Sequence, residues 1–313
     1  MISKGVFQKW IKMLQHKSVL HVEQKEGKYY SVQEIAGYYN DFCEKVQNTK
    51  TYDVAGVPLN VASYGNERKE VYFSIAIFQY GLGAYDLWIE TKKEVYYNSF
   101  LKMADWAVEN QEHGGAWNTF DVLHYSSPYS SMAQGEGASL LARAYKETLE
   151  QKYYIACEKA IDFMLLPTIE GGTSQYTASG LILKEYPDKA TVLNGWIFSA
   201  FGLLDAWKMT GKNRYYEAWH NAANEIKHSL YKFDAGYWSY YDLNGTITSP
   251  FYHSLHIELL KALNNLLPDE EYKKYIDKWN SERDNWFGRK MAFVLKAKQK
   301  LTEEKTSEWT MVG

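Results

Sequence analysis

Glu185-Tyr186-Pro187 sets a carboxylate beside a phenol on a segment that proline keeps out of helix. Both side chains handle protons, and a loop that feeds a rigid helix is a frequent seat of chemistry. Further phenols, Tyr129, Tyr176, Tyr241 and Tyr252, stand in or beside turn-like stretches. A free phenol has a pKa of about 10. It donates a proton readily and serves as a base only where cations or hydrogen bonds lower that value. Arg143, Lys184, His253 and His256 are the candidates for such a field. Taken singly, each tyrosine reads as packing, and the tripeptide as a plain turn. Position has to decide.

A second chemistry, glycoside hydrolysis, needs two carboxyls across a sugar bond. Glu136, Glu185, Asp121 and Asp242 are the acids for that reading. Metal chemistry finds less support. His253 and His256 share a helix face, yet no third ligand is near them in sequence. No glycine-rich phosphate loop follows a strand, and no nucleophile elbow is present. The expectation is no metal and no cofactor.

Composition narrows the setting. The chain has 313 residues and is 46% apolar, enough for a large core. A net charge of −3 argues against a nucleic-acid partner. Cys43 and Cys157 form neither a metal spacing nor a disulfide framework, and Cys157 reads as a buried thiol. Lys4, Lys9 and Lys12 break any signal-peptide core; Ile2, Phe7, Trp10, Ile11 and Leu14 give an amphipathic helix instead. No apolar run is long enough for a membrane span, so a cytoplasmic protein is expected. Tyrosine is abundant at 27 residues, with 11 Trp. Aromatic faces stack on sugar C–H faces, and a phenol adds an edge hydrogen bond.

The elements that must position these groups show up as a repeat. Tyr96-Tyr97, Tyr153-Tyr154 and Tyr215-Tyr216 each open an amphipathic helix, and Tyr272 lies in a fourth. The interval is roughly 60 residues, the size of helical-hairpin units that stack or close into arrays. Each such helix follows one rich in small residues: Ile75 to Trp88, Gly135 to Lys146, Trp196 to Lys208, and Leu255 to Asn264. The first set reads as an inner ring and the second as a solvated outer ring. Glycine-plus-aromatic segments follow several outer helices, at Gly114 to Trp117, Gly171 to Tyr176 and Gly236 to Tyr241. The last predicts a short strand ending in the turn Asp242-Leu243-Asn244-Gly245. A ring of such units gathers its hairpins at one end, and the chemistry belongs there. The repeat also assigns Val192 to Ile197, which looks like a hairpin turn, to the start of an inner helix.

Ordered motifs then add a family resemblance. Gly56-Val57-Pro58-Leu59, Ile77-Phe78-Gln79-Tyr80-Gly81-Leu82, Asp105-Trp106 and Asn110-Gln111 come first. Tyr129-Ser130-Ser131-Met132-Ala133-Gln134-Gly135 with Arg143-Ala144-Tyr145 follow. Glu185-Tyr186-Pro187, Val192-Leu193-Asn194-Gly195, Tyr241-Asp242-Leu243, Tyr252-His253 and His256-Ile257 complete the set. From about Tyr52 to Arg283 the chain resembles the D-glucuronyl C5-epimerases that act on heparosan-type polysaccharide.

The resemblance implies an all-α fold: an incomplete (α/α) barrel with short β-hairpins at the active-site end. It implies inversion at carbon 5 of D-glucuronate to L-iduronate within a polymer. Glu185, Tyr186 and Tyr252 are implied as proton-transfer residues and Tyr241 as an active-site phenol. Gln79, Tyr129, Gln134, Arg143, Asn194 and His253 are implied as substrate contacts. Asn244 stands where the family has an arginine, and Lys184 where the animal enzymes have an acid. A short connection, Ile89 to Val95, replaces a β-rich domain of the animal enzymes. The expected division is a helical N-terminal extension (1–50), a catalytic barrel (51–301) and a polar tail (302–313). The expected partner is a glucuronate-containing saccharide, and a homodimer stays open. A lyase or hydrolase on the same scaffold, or a non-catalytic saccharide-binding toroid, is the alternative.

Overall fold

The computed structural model describes residues 23–302 and 309–312. The helix expected over Ile2 to Leu14 lies outside them. Helix dominates, in pairs that follow the repeat. A short helix α1 (Cys43–Asn48) precedes α2 (Ser74–Thr91) and α3 (Glu94–Glu109). The next pairs are α4 (Ser131–Thr148) with α5 (Gln151–Leu165), and α6 (Leu193–Thr210) with α7 (Asn213–Ser229). Then come α8 (Pro250–Leu266), α9 (Glu270–Asp284) and α10 (Trp286–Thr302).

The first helix of each pair forms the inner layer. Helices α2, α4 and α6 are buried along most of their length, whereas α3, α5 and α7 bury one stripe each. Inner helices pack in the order α2, α4, α6, α8. This is the incomplete (α/α) barrel that the resemblance implies, with the inner and outer layers that the repeat predicts, and Cys157 is buried within it. Close approach of α4 and α6 depends on small residues. A Cβ on Gly202 would come within 2.4 Å of the Gly135 backbone, and one on Gly135 within 2.6 Å of Ser199 Cα. Any larger side chain would force these helices apart.

One end of the inner layer is sealed by the segment before α1. Tyr38 N–H donates to Asp86 on α2, and Lys146 of α4 donates to the Ile35 carbonyl. Lys208 of α6 donates to the Ser31 carbonyl, and Asn265 of α8 to Glu26. These four partners all lie toward the C-terminal ends of inner helices. The opposite end, where the inner helices begin, is left to loops and hairpins.

Two small sheets are present among the described residues. Antiparallel strands β1 (Asn60–Tyr64) and β2 (Glu67–Val71) are joined on the β1 side by β5 (Thr310–Val312). Strands β3 (Ser174–Tyr176) and β4 (Leu181–Leu183) form the hairpin expected after α5. The segment Gly236 to Tyr241 is a looser arrangement than the expected strand. It makes isolated bridges, Asp234 to Ser239 and Tyr240 to Ile247, around a turn with Gly245 at φ 77°. Asp242 explains the difference. Its carboxylate accepts from Asn244 N, Thr246 N and Thr246 Oγ1, so the side chain builds a turn where a ladder would have run. No helix among the described residues is long and apolar enough to cross a membrane.

Candidate active site

Three loops meet at the open end of the inner layer. Strand β4 leads into Lys184-Glu185-Tyr186, and the Lys184 carbonyl accepts from Ser131 N at the start of α4. The chain turns at Pro187, with Lys189 N donating to the Tyr186 carbonyl, then enters α6. There Val192 bridges to Asp242, and Leu193 N donates to the Tyr241 carbonyl at 3.2 Å. Tyr241 is thus clipped to the loop that carries Glu185 and Tyr186. Ser249 caps α8 and accepts from Tyr252 N, with Pro250 in the first turn, so Tyr252 sits on a fixed helix start.

These elements bring Glu185, Tyr186, Tyr241 and Tyr252 together. Tyr241 and Tyr252 meet edge to face at 4.9 Å. Tyr186 stacks on Phe120 at 4.8 Å and leans on Tyr125 at 5.9 Å. Hydrogen bonding couples Tyr186 to Glu185, Tyr241 to Tyr186, and Tyr252 to Tyr241. The carboxyl is buried, whereas all three phenols keep a partly exposed face.

Burial pushes the Glu185 carboxyl up to about 7, opposed by its hydrogen bond with Tyr186. Burial is also the first cause acting on the phenols. It drives Tyr186, Tyr241 and Tyr252 well above 10, and the negative charge of Glu185 adds to it. At neutral pH the carboxyl is therefore the group poised to take a proton, and the phenols are poised to give one.

Glu185 is held against the first turn of α6. A Cβ on Gly195 would fall 2.2 Å from Glu185 Oε2, so any side chain there would displace the carboxylate. This places the carboxylate at the positive end of a helix, which favours its charged form against burial. Glu185 Oε2 and the neighbouring Asn194 Oδ1 are buried without a hydrogen-bond partner among the described residues. So is Oε2 of Glu136 on α4, whose Oε1 accepts from Gln79 at 2.8 Å. Burial raises the Glu136 carboxyl, and the charges of Lys45 and Glu185 act on it in opposite senses.

The remaining residues expected at the site are placed elsewhere or otherwise engaged. Arg143 is fully buried, donating to Asp205 at 2.6 Å and to the carbonyls of Ser139 and Gly37. Its bonds tie α4 to α6 and to the sealing segment. Gln134 is consumed by the backbone of Trp117, Gly115 and Ala160. His253 stacks on Trp238 at 3.7 Å, accepts from Ser239 N and donates to the Trp279 carbonyl. Burial pushes its imidazole down to about 3, and that of His256 likewise, so neither is a cation near pH 7. Tyr129 donates to Glu112 at 2.9 Å, and Tyr176 to the Leu165 carbonyl. Lys184 is buried, donating to the Lys189 carbonyl and Thr191 Oγ1. The cations expected to lower the phenols thus have other duties.

Two parts of the site had no distinct signal in the sequence. Phe120 and Tyr125 back Tyr186 from a loop far away in the chain, and Lys189 lies over the Tyr125 ring. Among the described residues no group of three or more His, Cys, Asp or Glu is placed to hold a metal ion. A surface groove of about 600 Å³ lies apart from the phenols, lined by Asp53, Tyr72, Lys102, Asp105 and Trp106 among others.

The fold is that of an (α/α) helical-hairpin protein, with a cluster of one carboxyl and three phenols where its inner helices begin. The model of the D-glucuronyl C5-epimerase C-terminus family matches residues 118–281, which contain all four clustered residues. The chain belongs to that family. It is 28% identical over 220 residues to a D-glucuronyl C5-epimerase of Caenorhabditis elegans, covering 61% of this chain and 36% of that protein. It is 30% identical over 177 residues to an uncharacterised protein of Methanocaldococcus jannaschii, covering 51% of this chain and 58% of that one. The match therefore spans about a third and under two thirds of these relatives. Among solved structures, the unsaturated glucuronyl hydrolase of Bacillus sp. GL1 is similar with a TM-score of 0.47 and 17% identity, covering 67% of this chain and 62% of that one. The endo-β-1,4-glucanase of Acetobacter xylinum is similar with a TM-score of 0.49 and 13% identity, covering 77% of each chain.

Proposed function

We propose that this protein is a cofactor-free uronate 5-epimerase, converting D-glucuronate to L-iduronate within a heparosan-like saccharide. The observation that carries the reading is the convergence of Glu185, Tyr186, Tyr241 and Tyr252 where the inner helices begin, inside the region matched by the family. Inversion at a carbon bonded to hydrogen needs a base on one face and an acid on the other. Carbon 5 lies next to the carboxylate, so its proton is the acidic one.

In the proposed reaction Glu185 takes the carbon 5 proton. The electron pair of that C–H bond moves into the carboxylate, forming an enediolate. Tyr252, hydrogen-bonded to Tyr241, gives its proton to the other face, and a new C–H bond forms with inverted configuration. Glu185 then passes its proton on, and the tyrosinate is reprotonated through the phenols or by water. Charge grows on the substrate carboxylate during this step, so donors aimed at it lower the barrier. Asn194, a buried residue next in the chain to the Gly195 on which Glu185 rests, is suited to that role.

The test is product analysis after incubation with heparosan. Iduronate is the expected product. An unsaturated uronate, seen by ultraviolet absorbance, would mark a lyase instead. New reducing ends without iduronate would mark a hydrolase, and binding without any product a non-catalytic toroid.

A further inference from the structure

The groove beside α3 lies outside the proton chemistry, and its lining has a chemistry of its own. Tyr72 stands two residues before α2, and Trp106 lies in the last turn of α3. The groove therefore opens on the flank of the barrel end that holds the phenols. Phe73, next to Tyr72, meets Phe120 at 6.3 Å, and Phe120 stacks on Tyr186. The groove's volume of about 600 Å³ is within the range of small-molecule sites, roughly 300–1,000 Å³.

Two aromatic rings line the groove, and both are held in place. Tyr72 is 44% exposed, and its hydroxyl donates to Asp53 Oδ2 at 2.8 Å. Asp53 is itself fixed, its Oδ1 accepting from Ala55 N and Val57 N. The Trp106 ring packs edge to face on Phe78 of α2 at 6.0 Å. The Tyr72 and Trp106 rings lie 5.9 Å apart at 40° to each other. Rings splayed in this way present apolar faces at set positions, and the C–H faces of a sugar stack on such surfaces.

Polar groups surround the rings. Asn98, Lys102, Asp105 and Glu109 follow helical spacing along one face of α3. The Asn98 amide, the Trp106 indole N–H and the Glu109 carboxylate have no hydrogen-bond partner among the described residues. Acids outnumber cations in this lining: Asp53, Asp105 and Glu109 stand against Lys102. Hydroxyls, which donate, suit it, whereas a uronate carboxylate is repelled.

We propose that this groove binds a neutral pyranose, stacked on Tyr72 and Trp106 with its hydroxyls donating to Glu109 and Asn98. It is a saccharide subsite separate from the phenol cluster, selective against the acidic sugar proposed for that cluster. Binding here needs no turnover, so it stands apart from the epimerase reading.

The experiment follows the Trp106 indole N–H by NMR in isotope-labelled protein, its signal assigned by its loss in Trp106→Phe. Two neutral probes are titrated in, cellotriose and the trisaccharide of N-acetylglucosamine. Cellotriose with its primary alcohols oxidised to carboxylates is the acidic control. At least one neutral probe is expected to move the signal, with a Kd on the order of 1 mM. The oxidised sugar is expected to leave it in place. Tyr72→Ala is expected to weaken the binding about tenfold, and Asn98→Ala by a smaller factor, with the other indole signals unmoved. The proposal is overturned if neither neutral sugar moves the signal, if the oxidised sugar moves it as strongly, or if both variants bind like the wild type.

Discussion

The Glu185 carboxylate rests on the backbone of Gly195, so close that a Cβ there would stand 2.2 Å from Oε2. The base of the proposed reaction is thus positioned by the absence of a side chain on the next helix. Gly195→Ala should push the carboxylate off the helix start while leaving the fold of α6 intact. A misplaced base costs on the order of 10²-fold in rate. Iduronate formation should fall by about that factor, with far-ultraviolet circular dichroism unchanged.

The raised Glu185 carboxyl makes a signed prediction for pH. A base works when deprotonated, so activity should rise with pH through about 7 and level off above it. Stability runs the other way. Between the ordinary carboxyl value of 4.5 and about 7 the folded state holds more protons than the unfolded chain, so this group's contribution falls as pH rises. Glu185→Gln should abolish turnover yet raise stability at pH 8 by roughly 1–3 kcal/mol, with the gain vanishing below pH 4.5. Urea unfolding at the two pH values reads this out.

Tyr252→Phe removes the proposed acid and keeps the ring that packs on Tyr241. Iduronate formation should fall by about 10²–10⁴-fold, the range for losing a positioned proton donor. Tyr241→Phe should cost less, because Tyr241 acts on Tyr252 through a hydrogen bond. Full activity in both Tyr252→Phe and Tyr186→Phe would show that the phenols carry no proton. Initial rates on heparosan oligosaccharides make the comparison.

Arg143 separates architecture from chemistry. Removing one partner of its buried pair with Asp205 strands a charge in the core, at a cost of roughly 3–5 kcal/mol. Arg143→Ala should therefore unfold at much lower urea. Where it remains folded, its Kd for a heparosan oligosaccharide should match the wild type. A large loss of affinity at unchanged stability would return Arg143 to the substrate.

The helical repeat was legible because tyrosine pairs and small residues recur with it, and small residues decide how near two inner helices can pack. That Glu185, Tyr186, Tyr241 and Tyr252 lie together was legible through an ordered set of short motifs. The interior bonds of Arg143, Gln134 and His253 were not. A polar residue in a motif looks the same whether it meets a ligand or satisfies buried backbone, and here all three satisfy the interior. Phe120, Tyr125 and Lys189 were hidden for the opposite reason. They reach Tyr186 through loops whose course depends on bonds such as Lys184 to the Lys189 carbonyl.

The central claim is that carbon 5 of glucuronate is deprotonated and reprotonated at the Glu185–Tyr252 cluster. Its most direct test is incubation of heparosan in deuterated water, with NMR at carbon 5. Deuterium should enter carbon 5 with the wild type and fail to enter with Glu185→Gln. No deuterium with the wild type, or equal incorporation with the variant, would contradict the account.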